Sequence, residues 1–281
     1  MLYGIHGGNA GRLASPEGAE AIGAAARAQG VESVWAWEQI VIPAHFKSPW
    51  PYSADGGLAA PDDVPLMDPL VWLAWIGREA PDLMLATGVL LLALHDPISL
   101  AKTAATLDLL SKKRVTLGIG VGWLEEEYQV LGKEFGNRGR RTDDAIAALR
   151  QLWSESPASF SSETLSFPPL YCEPRPKRKI PIVIAGGSKA AARRAGRLGD
   201  GFYPHPSVGD DVGPLLEVMR ESARASGRDP DEIALTVGGD PTKEAARRAR
   251  SVGAQHFLID VYGQEPDTVG GFVDRALNDL A

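Results

Sequence analysis

The chain is poor in thiol: Cys172 is the single cysteine in 281 residues, so no internal disulfide can form and a reducing, cytoplasmic setting is expected. It also lacks a long hydrophobic run. The most apolar stretch, Leu83 to Leu94, is about a dozen residues where a membrane helix needs roughly 20, so no membrane span is expected. The opening MLYGIHGGNAGR has no basic head followed by an apolar core, which argues against a secretory signal. Positive charge is in deficit, 29 Lys and Arg against 36 Asp and Glu. The net charge of −7 disfavours a broad nucleic-acid surface and leaves room for a local basic pocket.

Several chemical motifs are missing as well. There is no His-x-His after the first strand, no Cys/His cluster and no His-Glu-x-x-His, so a metal site has little support. No lysine ends a predicted strand, which weakens a Schiff-base aldolase, and there is no Gly-x-Ser-x-Gly nucleophile elbow. Such a shortage of acid–base machinery fits an enzyme whose cofactor carries the difficult chemistry.

What is present is regular. Hydrophobic residues make up 44% and charged residues 23%, enough for a sizeable core. Apolar runs at Leu2–His6, Val31–Trp37, Leu83–Leu90, Val115–Val121, Pro181–Ala185, Gly201–Pro204, Ile233–Val237 and His256–Val261 read as strands. Helical patterns fall near 17–29, 70–79, 98–111, 143–154, 189–198, 211–226, 243–252 and 267–280. Eight such units predict an α/β fold, one (β/α)₈ TIM barrel over residues 1–281, with a doubly wound sheet as the alternative. Ser15-Pro16, Asp68-Pro69, Asp96-Pro97 and Asp240-Pro241 pair a capping oxygen with proline and mark helix starts on the functional face. Long inserted loops follow strands 2 and 4, at 42–67 and 155–179, and the second contains SFSSETLSFPP, a candidate hairpin.

Two glycine clusters could carry a ligand. Gly118, Gly120 and Gly122 recur at period two, which leaves one strand face bare, either for close packing or for a flat ring. Ile184-Ala-Gly-Gly-Ser-Lys189 ends a strand and opens a helix, so Gly186, Gly187 and Ser188 form either a plain turn or a phosphate site. His6 ends the first strand facing the mouth, with a structural and a catalytic role both open. His95 reads as a loop residue, Glu127 with Arg138 and Arg141 as an ion-pair network, and Trp35, Trp37, Trp72 and Trp75 as core or interface. Trp50 and Tyr52, in the first long loop, are the candidate substrate wall. The basic residues of 175–179 and of the 189–198 helix read mainly as solvated faces.

Together, Val34-Trp-Ala-Trp-Glu38, Leu85-Ala-Thr-Gly-Val-Leu90, Ala101–Ser111, Leu117-Gly-Ile-Gly-Val-Gly-Trp123, Ile184-Ala-Gly-Gly-Ser188 and Gly199-Asp-Gly-Phe-Tyr203 resemble the bacterial luciferase-like superfamily. Ser48-Pro-Trp-Pro-Tyr-Ser-Ala-Asp-Gly56 and Asn137-Arg-Gly-Arg-Arg-Thr-Asp143 resemble its branch of deazaflavin (coenzyme F-420, F420)-dependent oxidoreductases. The likeness covers residues 1 to about 205.

The resemblance implies a luciferase-like barrel with a cis peptide at Gly88–Val89 against the ring. It implies that Gly120, Val121, Gly122 and Trp123 line the ring or its chain, that Gly186, Gly187 and Ser188 hold the phosphate, and that Glu38 and Gln39 sit beside the reactive edge. Gln39 stands where many relatives have histidine and cannot shuttle a proton near neutral pH. Trp123 stands where the sugar-phosphate dehydrogenase branch has a glutamate acid. The expected function is therefore hydride transfer or monooxygenation of a small organic substrate with F420, or with FMN as the alternative. A catalytically silent flavin-binding barrel is the competing reading. A homodimer, as in many relatives, is the expected assembly.

Overall fold

The computed structural model describes residues 1–51, 63–112, 114–204 and 211–281. Short apolar runs between turn residues form eight barrel strands: β1 Leu2–His6, β2 Ser33–Ala36, β3 Met84–Thr87, β4 Val115–Gly120, β5 Ile182–Ala185, β6 Gly201–Tyr203, β7 Ala234–Gly238 and β8 His256–Asp260. All pair in parallel in the order β3-β2-β1-β8-β7-β6-β5-β4, and β3 also pairs with β4 (Leu85↔Val115, Ala86↔Thr116), which closes the ring. Closure covers both faces of each strand, so β4 is buried at every position. Trp35 fills the interior with Ala86, Val183 and Leu258, its indole N–H donating to Ser33 Oγ at 2.9 Å. This is the large-residue layer that a barrel of this size needs.

The outer ring comprises α1 Pro16–Gln29, α2 Pro69–Glu79, α3 Pro97–Leu110, α4 Glu125–Val130, α5 Arg138–Ser154, α6 Lys189–Leu198, α7 Gly213–Ala225, α8 Lys243–Ser251 and α9 Val269–Leu280. Ser15, Asp68 and Asp96 cap as expected, accepting from the amides of Gly18, Val71 and Ser99. Asp240 does not. The cap of α8 is Thr242, which accepts from Ala245 N at 3.1 Å, because the chain leaves β7 through Gly239 at φ +150° and enters the helix later. Among the described residues no helix is long and apolar enough to cross a membrane.

Three further departures are instructive. The run Leu83–Leu90 is not one strand: β3 stops at Thr87, the Gly88–Val89 bond is cis, and pairing resumes at Leu90–Leu91 beside Ile119 and Gly120. Helix α5 begins at Arg138, earlier than its apolar pattern, where Arg194 reaches the carbonyl of Gly139 and the carboxylate of Asp143. The basic faces are not simply solvated either: Arg178 donates to the buried Asp108 at 2.8 Å, and Arg197 to Asp143 at 2.7 Å. The candidate hairpin forms, Ala158–Ser161 against Ser166–Leu170. Of the four tryptophans, Trp35 and Trp72 are buried, Trp37 is half-buried and Trp75 is exposed.

Candidate functional site

The C-terminal strand ends form a rim, and just below it β3 and β4 pack closely. Thr87 Oγ1 donates to the Gly118 carbonyl at 2.8 Å. A Cβ on Gly118 would lie 2.0 Å from the Thr87 carbonyl oxygen, and one on Gly120 would lie 2.7 Å from Val89 Cγ2. The bare face at these two glycines thus serves close packing against the Thr87–Val89 segment. Gly122 does not share it: the strand ends at Gly120, and Gly122 turns away at φ +73°, with Tyr128 alongside. Its carbonyl accepts from Arg138 Nε at 3.2 Å, and the carbonyl of Val121 accepts from the Tyr128 hydroxyl at 2.6 Å. Gly88, Val89, Val121, Gly122 and Trp123 therefore stand together on one sector of the rim.

His6 is on the same rim. Its Nε2 lies 2.6 Å from the Gly88 carbonyl, and its Nδ1 lies 3.4 Å from Asp260 at the end of β8. Both neighbours are acceptors, an arrangement that suits the doubly protonated ring. Burial pulls the His6 pKa down, but Asp260 and the Gly88 carbonyl outweigh it, and the net shift is upward. Asp260 was not singled out from sequence, although a charged residue ending a barrel strand is the available signal.

Glu38 and Gln39 face partners rather than open space. Glu38 is 5% exposed, and its carboxylate accepts from Leu91 N at 2.7 Å and lies 3.0 Å from His95 Nε2. His95, expected as a loop residue, is thus the counter-ion of Glu38. Burial lowers its pKa, the Glu38 contact more than restores it, and the result is raised. Gln39 Nε2 donates to Glu127 at 2.6 Å, and the amides of Ile40 and Val41 donate to the same carboxylate. The expected Glu127–arginine network is replaced by this cradle, and Arg138 instead stacks on Phe135 with its guanidinium carbon 3.6 Å from the ring centroid. Burial pushes the Glu127 carboxyl up to about 7 against the pull of those donors.

A group whose folded pKa is raised adds stability that is fully present below its unfolded pKa and disappears as pH rises through the folded one. For Glu127 that window runs from the ordinary 4.5 to about 7, and His6 and His95 act in the same direction above 6.5. Urea midpoints should therefore carry a falling component across neutral pH. Glu127→Gln should remove a slope of up to about 1.4 kcal/mol per pH unit between pH 4.5 and 7. Parallel wild-type and variant profiles would refute it.

Loop 40–51 is pinned over the rim by the acidic start of α4. Glu126 Oε1 accepts from Lys47 N at 2.7 Å and from Ser48 N at 3.3 Å, while Ser48 Oγ accepts from Glu125 N. This brings Phe46 and Trp50 edge-on to Trp123, with ring centroids 5.9 and 5.1 Å away. The Trp123 indole nitrogen is buried and has no hydrogen-bond partner among the described residues. Phe46 was missed in the sequence, where nothing distinguishes it from other loop aromatics. Tyr52 lies outside the described residues. At the head of α6, Gly186 adopts φ +136°, Ser188 Oγ accepts from Ala191 N, and Gly187 and Ser188 are exposed.

With this geometry in place, comparison with known proteins is direct. The luciferase-like monooxygenase family model matches residues 5–268. A protein of uncharacterised function from Mycobacterium tuberculosis is 31% identical over 262 residues, 91% of each chain. An F420-dependent glucose-6-phosphate dehydrogenase from Kineococcus radiotolerans is 34% identical over 217 residues, 75% of this chain and 60% of that enzyme. Among solved structures, an F420-dependent secondary alcohol dehydrogenase in complex with an F420-acetone adduct superposes with a TM-score of 0.79 at 16% identity, covering 100% of this chain and 99% of that one. That likeness confirms the barrel. Matched by its family model over residues 5–268, the chain belongs to the luciferase-like monooxygenase family.

Proposed function

We propose that the chain is an oxidoreductase that moves hydride between a small organic substrate and coenzyme F420 held across the C-terminal mouth. The family match carries this reading, and relatives named for F420-dependent dehydrogenation support it. The residues present fit such a group. A flat heterocycle needs an apolar wall, which the half-buried Val89, Val121 and Trp123 offer, and the Trp123 indole N–H is a buried donor without a partner among the described residues. An acidic tail needs donors, and the first amides of α6 lack intrahelical acceptors by construction. When bound, F420 supplies a ring carbon that takes or gives hydride; FMN, the alternative, would add oxygen chemistry.

In this reading Gly88, Val89, Val121, Gly122 and Trp123 line the ring, Gly120 lies behind Val89 and only lets it pack, and Gly186, Gly187 and Ser188 hold the phosphate. Phe46 and Trp50 exclude water and meet the substrate. His6 holds a proton at Nδ1 against Asp260. Glu38 and Gln39, engaged by His95 and Glu127, support the rim from beneath.

Titrating the protein with F420, FMN and FAD, followed by absorbance and fluorescence, tests the reading, and saturable binding of none of them refutes it. Binding without oxidation of any added alcohol or aldehyde would instead favour a silent flavin-binding barrel. Gly187→Asp places a carboxylate at the anion site and should weaken F420 binding about a hundredfold. Unchanged affinity would remove the phosphate assignment.

A cytoplasmic homodimer completes the proposal. It is supported by Val71 and Trp75, four residues apart on α2 and 72% and 54% exposed. Trp75→Glu should halve the mass measured by light scattering, and a wild-type mass at equal concentration would argue against this face.

A further inference from the structure

Behind the Leu92–Leu94 turn lies a cavity of about 180 Å³, walled by the head of α3, the loop after α4, helix α5 and the turn of the 158–170 hairpin. His95, Asp96, Lys133, Arg141 and Thr164 supply its polar lining. No residue assigned above to the ring, its phosphate or the substrate lines it.

Two of the cations that line this cavity lack a hydrogen-bonded acceptor among the described residues. Neighbouring arginines all have acceptors: Arg140 is paired with Glu163, Arg194 and Arg197 with Asp143, and Arg138 with the carbonyls of Gly122 and Phe135. Arg141, half-buried between them, has no side-chain acceptor among the described residues, and neither has Lys133. A partly desolvated guanidinium without an acceptor is costly. The one carboxylate in the lining, Asp96, already accepts from Ser99 N at 2.8 Å as the cap of α3. His95 has its Nε2 committed to Glu38, which leaves Nδ1 for another contact.

The walls are fixed independently of any ligand. Asp144 accepts from both the Thr164 hydroxyl, at 2.6 Å, and the Thr164 amide, at 3.2 Å, and the Arg140–Glu163 pair fastens the same turn to α5. Two cations from separate elements thus converge, with a histidine, on a preformed concavity. A planar guanidinium beside an ammonium suits a group presenting two or more oxygens.

We propose that this cavity is a second binding site, for a small oxyanion of the phosphate or carboxylate type. Arg141 supplies the fork, Lys133 the point charge and His95 Nδ1 a further donor, while Thr164, whose hydroxyl and amide both donate to Asp144, only shapes the wall. The site does not depend on which flavin occupies the mouth.

The test follows the His95 ring resonances by NMR while inorganic phosphate, and separately glutarate, is added at constant ionic strength. A saturable shift is expected with at least one of the two, and the one that saturates identifies phosphate or carboxylate as the preferred source. Arg141→Gln and Lys133→Gln should each weaken that binding about tenfold or more, whereas Arg141→Lys should keep part of it, separating lost charge from a disturbed pocket. Shifts that never saturate, or affinities unchanged in both glutamine variants, would overturn the site. So would phosphate binding that Gly187→Asp abolishes and Arg141→Gln leaves intact, since the ion would then sit at the head of α6. Binding of F420, read at its own absorbance, should be unaffected by Arg141→Gln, so failure here and failure of the cofactor reading are told apart.

Discussion

Replacing His6 with glutamine is expected to lower kcat by about 10²–10⁴-fold while leaving the affinity for F420 within a few-fold. His6 bridges the Gly88 carbonyl and Asp260, and both neighbours favour the protonated ring. Glutamine can still donate to Gly88, so the rim is kept while the exchangeable proton is lost. In the wild type, kcat should carry one limb set by His6, displaced upward from 6.5. Asp260→Asn should move that limb to lower pH, because the carboxylate that favours the imidazolium is gone. A merely structural histidine would leave the limb where it was. If His6→Gln turns over at the wild-type rate, or Asp260→Asn leaves the profile unmoved, the proton belongs elsewhere.

The largest stability effect is expected at Gly118. An alanine Cβ there would lie 2.0 Å from the Thr87 carbonyl oxygen and 3.4 Å from the Trp35 ring. Neither neighbour is free to withdraw: Thr87 belongs to β3 and is bonded to Gly118 through its hydroxyl, and Trp35 is 1% exposed in the barrel interior. Overpacking of this kind should cost roughly 3 kcal/mol, a fall of roughly 6–10 °C in Tm. Gly132→Ala is the control. Gly132 sits at φ +65° with nothing within 4 Å of the added carbon, so it should cost about 1 kcal/mol through backbone conformation alone. Calorimetry on the two variants decides it: equal losses would mean that β3 and β4 can part at little cost.

The barrel was legible because its signals are local. A period of two or 3.6, a proline after a capping oxygen and a glycine at a turn each act within a few residues, and Ser15, Asp68, Asp96 and Ser188 all cap as their neighbours suggest. The Asp240-Pro241 signal misled because where β7 lets go of its neighbours, not the dipeptide, determines which oxygen meets the first free amide. The rim was legible in its backbone and much less so in its side chains. Glu38 finds His95 57 residues away, and Gln39 finds Glu127 88 residues away. No periodicity encodes a pairing at that range. The glycines at 118 and 120 stood out, but a bare face looks the same in sequence whether a ring or a neighbouring strand covers it.

By itself, then, the order of residues determined the alternation of strands and helices, the closed ring that eight such units favour, and the placing of glycine-rich ends on one mouth, since each depends on contacts a few positions long. Folding in three dimensions decided which acid meets which base, that Val89 and Thr87 cover the glycine face, and that Arg141 and Lys133 line one cavity without a hydrogen-bonded carboxylate of their own among the described residues. These are meetings between distant segments, and their energies depend on burial and separation, quantities that exist only once the ring has closed.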